Sequence, residues 1–177
     1  MTAAVALPVP VLTTARLILR GPEERDFEAV AAFGTSERSR WVGGPFNRFE
    51  SWGRFLSGFG HWALRGFGYW TLEERATGRV AGRVGIIAHD GWEEPELGWH
   101  LFDGFEGQGL ALEAAQAARA HAAQAMGLDG VISYIDPANT RSARLAQRLG
   151  ARVERDGFLL GQPMQVWRHP RLNEARA

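Results

Sequence analysis

The chain has 177 residues, 20 basic and 20 acidic side chains, and a formal net charge of zero. Its length suits one domain, and the balanced charge argues against nucleic acid or an anionic membrane as the main partner. With no cysteine there is no disulfide, no thiolate metal site and no cysteine nucleophile, and the five histidines fall at no metal-ligand spacing, so no metal is expected.

Residues 1–11 are apolar but carry no basic stretch and are broken by Pro8 and Pro10. They read as a flexible tail rather than a signal peptide, as do residues 170–177 at the other end. No apolar run is long enough to span a membrane, so the expected compartment is the cytoplasm. Residues 16–20 form a short strand. Gly21 and Pro22 open a helix with an apolar stripe of Phe27, Val30, Ala31 and Phe33, and Gly34 ends it. Residues 41–45 read as a loop. Asn47 and Glu50 have the spacing of an N-cap and its reciprocal acid. After them Trp52, Phe55, Leu56, Phe59, Trp62 and Ala63 recur at helical spacing, interrupted by Gly53, Gly58 and Gly60. The aromatics read as core. The sharper alternative is that His61 and Trp62 wall a substrate pocket.

Residues 69–73 and 79–88 predict a strand hairpin turning through residues 74–78, followed by an exposed loop over 89–95. Residues 96–102 predict a strand on which Glu96, Gly98 and His100 share one face and Leu97, Trp99 and Leu101 the other. A glycine-rich turn leads into an alanine-rich helix over 110–126. Ala111, Leu112, Ala115, Ala118, Ala122 and Met126 lie on one side of it. Residues 130–136 are a strand ended by Pro137. Asn139 caps a helix over 140–149, and residues 152–154 and 165–167 close the chain as a hairpin through 157–163. Strands and helices in this order predict an α/β (α+β) fold, a mixed sheet with helices on both faces.

The turn between residues 102 and 110 is the most informative stretch. Glycines at 107 and 109 let the backbone bend or be approached closely. The first amides of the helix have no partner within it, and that end of the helix is electropositive. Strand, glycine turn and helix start therefore predict an anion site, most simply for phosphate. No Gly-Lys-Ser/Thr follows, and Leu112 stands where a dinucleotide fingerprint needs its third glycine.

Gly107-Gln108-Gly109-Leu110-Ala111, with Glu113 and Ala114 after it, resembles the acetyl-CoA pyrophosphate loop of the GNAT superfamily of N-acetyltransferases. Asp136-Pro137-Ala138-Asn139-Thr140-Arg141-Ser142 and Gln147-Arg148-Leu149-Gly150-Ala151 resemble the Asn-x-x-Ser helix and Leu-Gly-Phe turn of its RimJ/RimL-like branch. Ala151 stands where phenylalanine is usual, and Glu106 replaces a common Arg or Gln. Glu106 is expected to point to solvent and to weaken phosphate affinity. The resemblance implies a mostly antiparallel sheet in which strands 96–102 and 131–136 run parallel and splay into a V.

It further implies that acetyl-CoA lies in that V as cosubstrate. Backbone at Trp99, His100 and Leu101 would meet its pantetheine arm, and Gly107, Gln108, Gly109, Leu110 and Ala111 its pyrophosphate. Asn139 would contact the arm, and Ser142 would protonate or hydrogen-bond the departing thiolate. Direct attack by a primary amine, either a protein N-terminus or a small molecule, is expected. The base is left open among Glu96, His100, His61, Asp90, Glu93, Glu94 and water. Tyr134 is a further hydroxyl. Trp41, His61, Trp62 and Trp92, with the nearby acids, are expected to form a substrate pocket suited to a cationic or apolar amine. A non-catalytic acyl-CoA-binding module is the alternative function, and a homodimer is left open.

Overall fold

In the computed structural model, residues 7–172 are described. Eight strands form one sheet: β1 (Leu12–Thr13), β2 (Leu17–Arg20), β3 (Tyr69–Glu74), β4 (Val80–Ile87), β5 (Glu96–Leu101), β6 (Ile132–Ile135), β7 (Arg152–Leu159) and β8 (Gln162–Arg168). Their spatial order is β1-β2-β3-β4-β5-β6-β8-β7, and every pairing is antiparallel except β5 with β6. That parallel pair is joined by one register pair, Glu96 with Ile132. Beyond it the strands part.

Four helices cover the sheet: α1 (Phe27–Gly34), α2 (Arg48–Arg65), α3 (Leu110–Ala125) and α4 (Thr140–Arg148). On one face α3 buries Leu110, Ala114, Ala115, Ala118 and Ala122 against Leu17, Leu19, Leu72, Val84 and Leu97. Alanines bring the helix axis close to the strands. Ala111 and Leu112, expected on the buried stripe, lie at its margin, because helical side chains lean toward the N-terminus and shift the covered surface. Further along, α4 packs Ala146 onto Ile135 and Trp167. On the opposite face α1 and α2 pack Phe27, Val30, Ala31 and Phe55 together with Phe102. Asn47 and Glu50 form the expected capping box of α2, each side chain accepting from the other's amide. Gly53, Gly58 and Gly60 all lie inside α2, which holds together by burying Phe55 and Trp62.

Three expectations differ from the structure. Residues 7–11 and 170–172, read from sequence as parts of flexible tails, are packed; residues 1–6 and 173–177 lie outside the described residues. Leu7 and Val9 lie on the core, and the Trp70 indole donates to the Pro10 carbonyl at 2.7 Å. The Asp129 carboxylate accepts from the Leu172 amide, and Pro170 accepts from Arg119. Second, residues Glu37–Val42 form a 3-10 helix where a loop was expected from residue 41. Third, the last hairpin is long. Its connection is the two-residue turn Leu160–Gly161, both at positive φ, as tight hairpins require. Pro163 falls within β8 because β6 pairs with β8 only from Gln165 onward, so that end of the strand owes no ladder bond on the β6 side.

The start of α1 is fixed to the sheet by a buried ion pair. The Arg20 guanidinium grips Asp26 with two bonds of 2.9 and 2.8 Å and reaches Glu73 at 2.8 Å. Thr71 and the Glu23 amide donate to the same Asp26 carboxylate. Removing one member of such a buried pair strands the other charge, at a cost of about 3–5 kcal/mol. Asp26→Ala is therefore expected to lower unfolding stability by that amount in denaturant titrations. A loss under about 1 kcal/mol, the range of surface pairs, would show that this anchor is dispensable.

Candidate active site

The parting of β5 and β6 leaves backbone groups without a ladder. Strand alternation turns the amides and carbonyls of Leu97, Trp99 and Leu101 toward β6. Side chains take up several of these orphan groups. Ser133 Oγ donates to the Leu97 carbonyl at 2.6 Å, itself accepting from His169 Nε2 at 2.9 Å. Arg38 donates to the Leu101 carbonyl at 2.7 Å. From the other strand the Tyr134 amide donates to the Glu96 carboxylate at 3.2 Å. Among the described residues no side chain takes the Trp99 amide or carbonyl, which face the gap between the strands.

At the mouth of that gap stands the start of α3. Its N-cap is Gly109, with φ of +79° and no side-chain cap. Gly104 and Gly107 also have positive φ, and a Cβ on Gly107 would meet nothing within 4 Å. The free amides of the first helical turn therefore open onto space. Glu113 locks this turn to the connection between β1 and β2, accepting from the Arg16 amide at 2.8 Å, Arg16 Nε at 2.7 Å and Thr14 Oγ1 at 2.6 Å. The same Arg16 donates to the Gln108 carbonyl, and its Nη2 lies 3.5 Å from where a Gly109 Cβ would be. Arg16 thus brings a cation to the glycine loop that sequence reading did not single out.

Glu106 does not simply face solvent. It pairs with Arg38 at 2.5 Å and with Arg141 of α4 at 3.4 Å. Its negative charge, expected to oppose a phosphate, is offset by two guanidiniums. Arg38 and Arg141 also line a cavity of about 400 Å³ with Trp41 and Asn139.

At the start of α4, Asn139 Oδ1 accepts from the Ser142 amide at 3.2 Å. Ser142 Oγ accepts from the Trp99 indole at 3.2 Å, so its own proton is left to donate. Trp99 therefore joins Ser142 to the strand that borders the gap. The Tyr134 phenol is held above its ordinary value, chiefly by burial, and keeps its proton at neutral pH.

The opposite face of β5 carries Glu96 and His100, as the alternation predicts. Burial, offset by the bond from the Tyr134 amide, raises the Glu96 carboxyl to about 7. Burial lowers His100 to about 3, helped by Arg83 and Arg54, so His100 is neutral and a poor proton acceptor. Of the other candidates for the base, Asp90 is exposed and the rest are already engaged. His61 is buried with both ring nitrogens engaged, by the Phe67 carbonyl at 2.6 Å and the Ala88 amide at 3.0 Å. Glu93 pairs with Arg155, and Glu94 accepts two bonds from Arg168.

The expected aromatic pocket does not assemble. Trp62 is in the core, its indole donating to the Tyr69 carbonyl at 2.9 Å. Trp41 stacks under Arg40 at the other cavity. Trp92 packs edge-on to His89. His61 does line a cavity of about 120 Å³ between the sheet and helices α1 and α2, in company with His89, His100, Tyr69, Arg54 and Arg83. Trp62 is core, as its helical spacing first suggested, and not pocket wall.

The family of the chain follows from comparison. Residues 16–152 match the model of the acetyltransferase (GNAT) domain. The chain belongs to the GNAT acetyltransferase family. An acetyltransferase of Agrobacterium tumefaciens is similar at 34% identity, with 96% of this chain and 99% of that one aligned at a TM-score of 0.86. A Bordetella pertussis protein assigned to the same family shares 27% identity over 90% of this chain and 99% of its own, at 0.77. RimL, a ribosomal L7/L12 α-N-protein acetyltransferase in complex with coenzyme A, shares the fold at 17% identity, over 91% of this chain and 98% of its own, at 0.74. The GNAT sheet, with its parallel pair and its helices on both faces, is the sheet described above, and the chain is an acyltransferase of the acetyl-CoA-using kind. Among the described residues no group of histidine and carboxylate side chains is placed to hold a metal, and no helix is long and apolar enough to cross a membrane.

Two variants probe the glycine loop and the buried acid without any assay of activity. At Gly109 a Cβ would touch Arg16 Nη2 only at an ordinary 3.5 Å but would sit on a left-handed backbone, which costs about 1–2 kcal/mol for an L-residue. Gly109→Ala is expected to lower apo stability by that amount, and an unchanged melting curve would contradict the left-handed conformation. For Glu96 the folded protein holds its proton more tightly than the unfolded chain. Its contribution to stability is thus full below about pH 4.5 and lost as pH rises to about 7. Glu96→Gln should flatten stability across that window; an identical pH slope in the variant would show that Glu96 titrates normally.

Proposed function

We propose that the protein is an acetyl-CoA-dependent N-acetyltransferase of the RimJ/RimL-like branch, acting on a primary amine by direct attack in a ternary complex. The reading is carried by one arrangement: the uncapped glycine start of α3 faces the gap where β5 and β6 part. The residues fit the cosubstrate. Amides of residues 107–111 would hold the pyrophosphate through charge-assisted bonds, about twice as strong as neutral ones, with Arg16 beside them. The free amide and carbonyl of Trp99 would pair with the pantetheine amides as a strand would, together with the Leu101 amide; the His100 backbone, expected to join them, faces β4 instead. Asn139 would keep α4 in register with that arm.

Acetyl-CoA supplies the thioester acyl group. The chain supplies the proton transfers and the oriented dipoles. Glu96 would accept the proton of the amine, directly or through water, because its value near 7 matches the task. An N–H of the parted strand would stabilise the developing oxyanion. Ser142, whose oxygen is already held by Trp99, would deliver a proton to the departing sulfur. The acceptor is a protein N-terminus or a small amine. RimL acts on a ribosomal-protein N-terminus, and the shared fold lends that option to this chain without deciding it.

Thiol release from acetyl-CoA with a panel of amines tests the reading. kcat/KM should rise with pH to a plateau, with an apparent value near 7. Glu96→Gln should remove that limb and cost at least a hundredfold, while the Kd for CoA stays within threefold of the parent. Ser142→Ala should lower turnover more than CoA affinity. A protein that binds CoA but releases thiol at the uncatalysed rate with every amine would leave a binding module instead.

A further inference from the structure

We infer that the cavity beneath α1 and α2 binds a carboxylate, so that the acceptor is an amine that also carries a carboxylate a short distance away. The inference rests on the N-acetyltransferase reading above and specifies the acceptor of that site.

Three arginines reach inward from this fold, and two have their charges answered. Arg20 holds Asp26 and Glu73. Arg119 donates to the carbonyls of Leu149 and Pro170 and so caps the end of α4. Arg83 of β4 makes neither kind of bond. Its Nε is buried without a partner, and its guanidinium stands over the Tyr69 ring at 5.4 Å. A guanidinium stays cationic at neutral pH even when burial lowers it, as it does here. A partly buried cation without counterion or acceptor is costly. A site that keeps one is shaped for an anion that arrives from outside.

The surroundings agree. Arg54 of α2 faces the same cavity, its guanidinium 3.8 Å above the Phe46 ring. No carboxylate side chain is among the described residues that line the cavity. Two residues of its wall, His100 and Ser51, have buried polar atoms without a partner, Nδ1 and Oγ. Arg83 and Arg54 offer the donors that a planar, two-oxygen anion accepts, and arginine binds carboxylates in a two-bond fork.

The position is right for an acceptor. Arg83 pairs with His100 across the sheet, and Tyr69 lies over Gly98 on the same face. Gly98 and His100 are two strand residues apart, about 7 Å. The acidic Glu96 is on the same face, two residues further. An amine beside the Tyr69 hydroxyl that covers Gly98, reaching Glu96 through water, with a carboxylate at Arg83, has the span of an amino acid or of a peptide beginning with an acidic residue. This reverses the sequence-based expectation of a cationic or purely apolar acceptor.

Paired acceptors that differ only in charge test the inference. Common α-amino acids and β-alanine are compared with their carboxamides, Asp-Gly-Gly-amide with Asn-Gly-Gly-amide, and phosphoethanolamine with ethanolamine, by thiol release from acetyl-CoA. In at least one carboxylate pair the charged member should be preferred at least tenfold in kcat/KM. Arg83→Met should erase that preference and leave the Kd for CoA unchanged; the winning pair tells free amino acid from peptide. Equal rates within every pair, a preference only for phosphoethanolamine, or a preference that survives Arg83→Met would overturn it. Because Arg83 answers no charge in the apo protein, Arg83→Met should not lower the melting temperature; if the variant fails to fold, the inference is wrong about its role, and Arg54→Gln provides the same comparison of acceptors. A binding arm without CoA separates this from failure of the acetyltransferase reading. N-acetyl amino acids should raise the melting temperature of the apo protein and their amides should not. No rise with any carboxylate sinks the inference even if acetyl transfer is found, and a rise upholds it even if none is.

Discussion

Two parallel strands that share a single ladder pair leave a row of main-chain donors and acceptors facing a gap, and buried groups of that kind must find partners. Most of this site is an answer to that requirement at β5 and β6. Ser133, Glu96 and Arg38 each reach across to a backbone group that a neighbouring strand would otherwise serve. What they leave free, at Trp99, is the edge that a ligand of amides can complete. Helices α3 and α4 then place their starts at the two sides of the opening, one bare and one capped by Asn139. The gap is both the weakest seam of the sheet and the reason the elements around it sit where they do.

Charge is balanced over the chain but not over the site. At the glycine loop Glu106 and Glu113 are engaged by Arg38, Arg141 and Arg16, which leaves the loop free of unanswered negative charge. On the far face of β5 two titratable groups four residues apart are driven in ways that suit different tasks. Glu96 is pushed up toward neutrality by burial, and His100 is pushed down by burial and by the guanidiniums of Arg83 and Arg54. The first is poised to exchange a proton. The second remains a neutral hydrogen-bonding ring beside a cation. The same burial that makes Arg83 a liability in the empty protein makes it a strong partner for an incoming carboxylate.

Much of this was legible in the sequence between residues 96 and 150, because local rules dominate there. Strand alternation put Glu96 and His100 on one face, glycines marked the bare start of α3, and Asn139 marked the start of α4. What the sequence hid depends on distance along the chain. Arg38 and Arg16 meet the loop from 63 and 92 residues away. Nothing local distinguishes Arg83 from Arg20 or Arg119, since partners brought by the fold decide which of them is answered. The β7–β8 hairpin was cut short for a different reason. Its outer part has apolar residues without alternation, Phe158 next to Leu159 and Pro163 next to Met164, and turns through Leu160–Gly161, so neither apolar periodicity nor an Asn-Gly signal marks it.

Amide hydrogen exchange on the protein with and without CoA tests the central claim, that the parted strands and the bare helix start together form the cosubstrate site. The account predicts strong new protection confined to the amides of Trp99 and Leu101 and to residues 107–112, with β7 and β8 unchanged. Binding of CoA that leaves those two segments exchanging as in the free protein would contradict it.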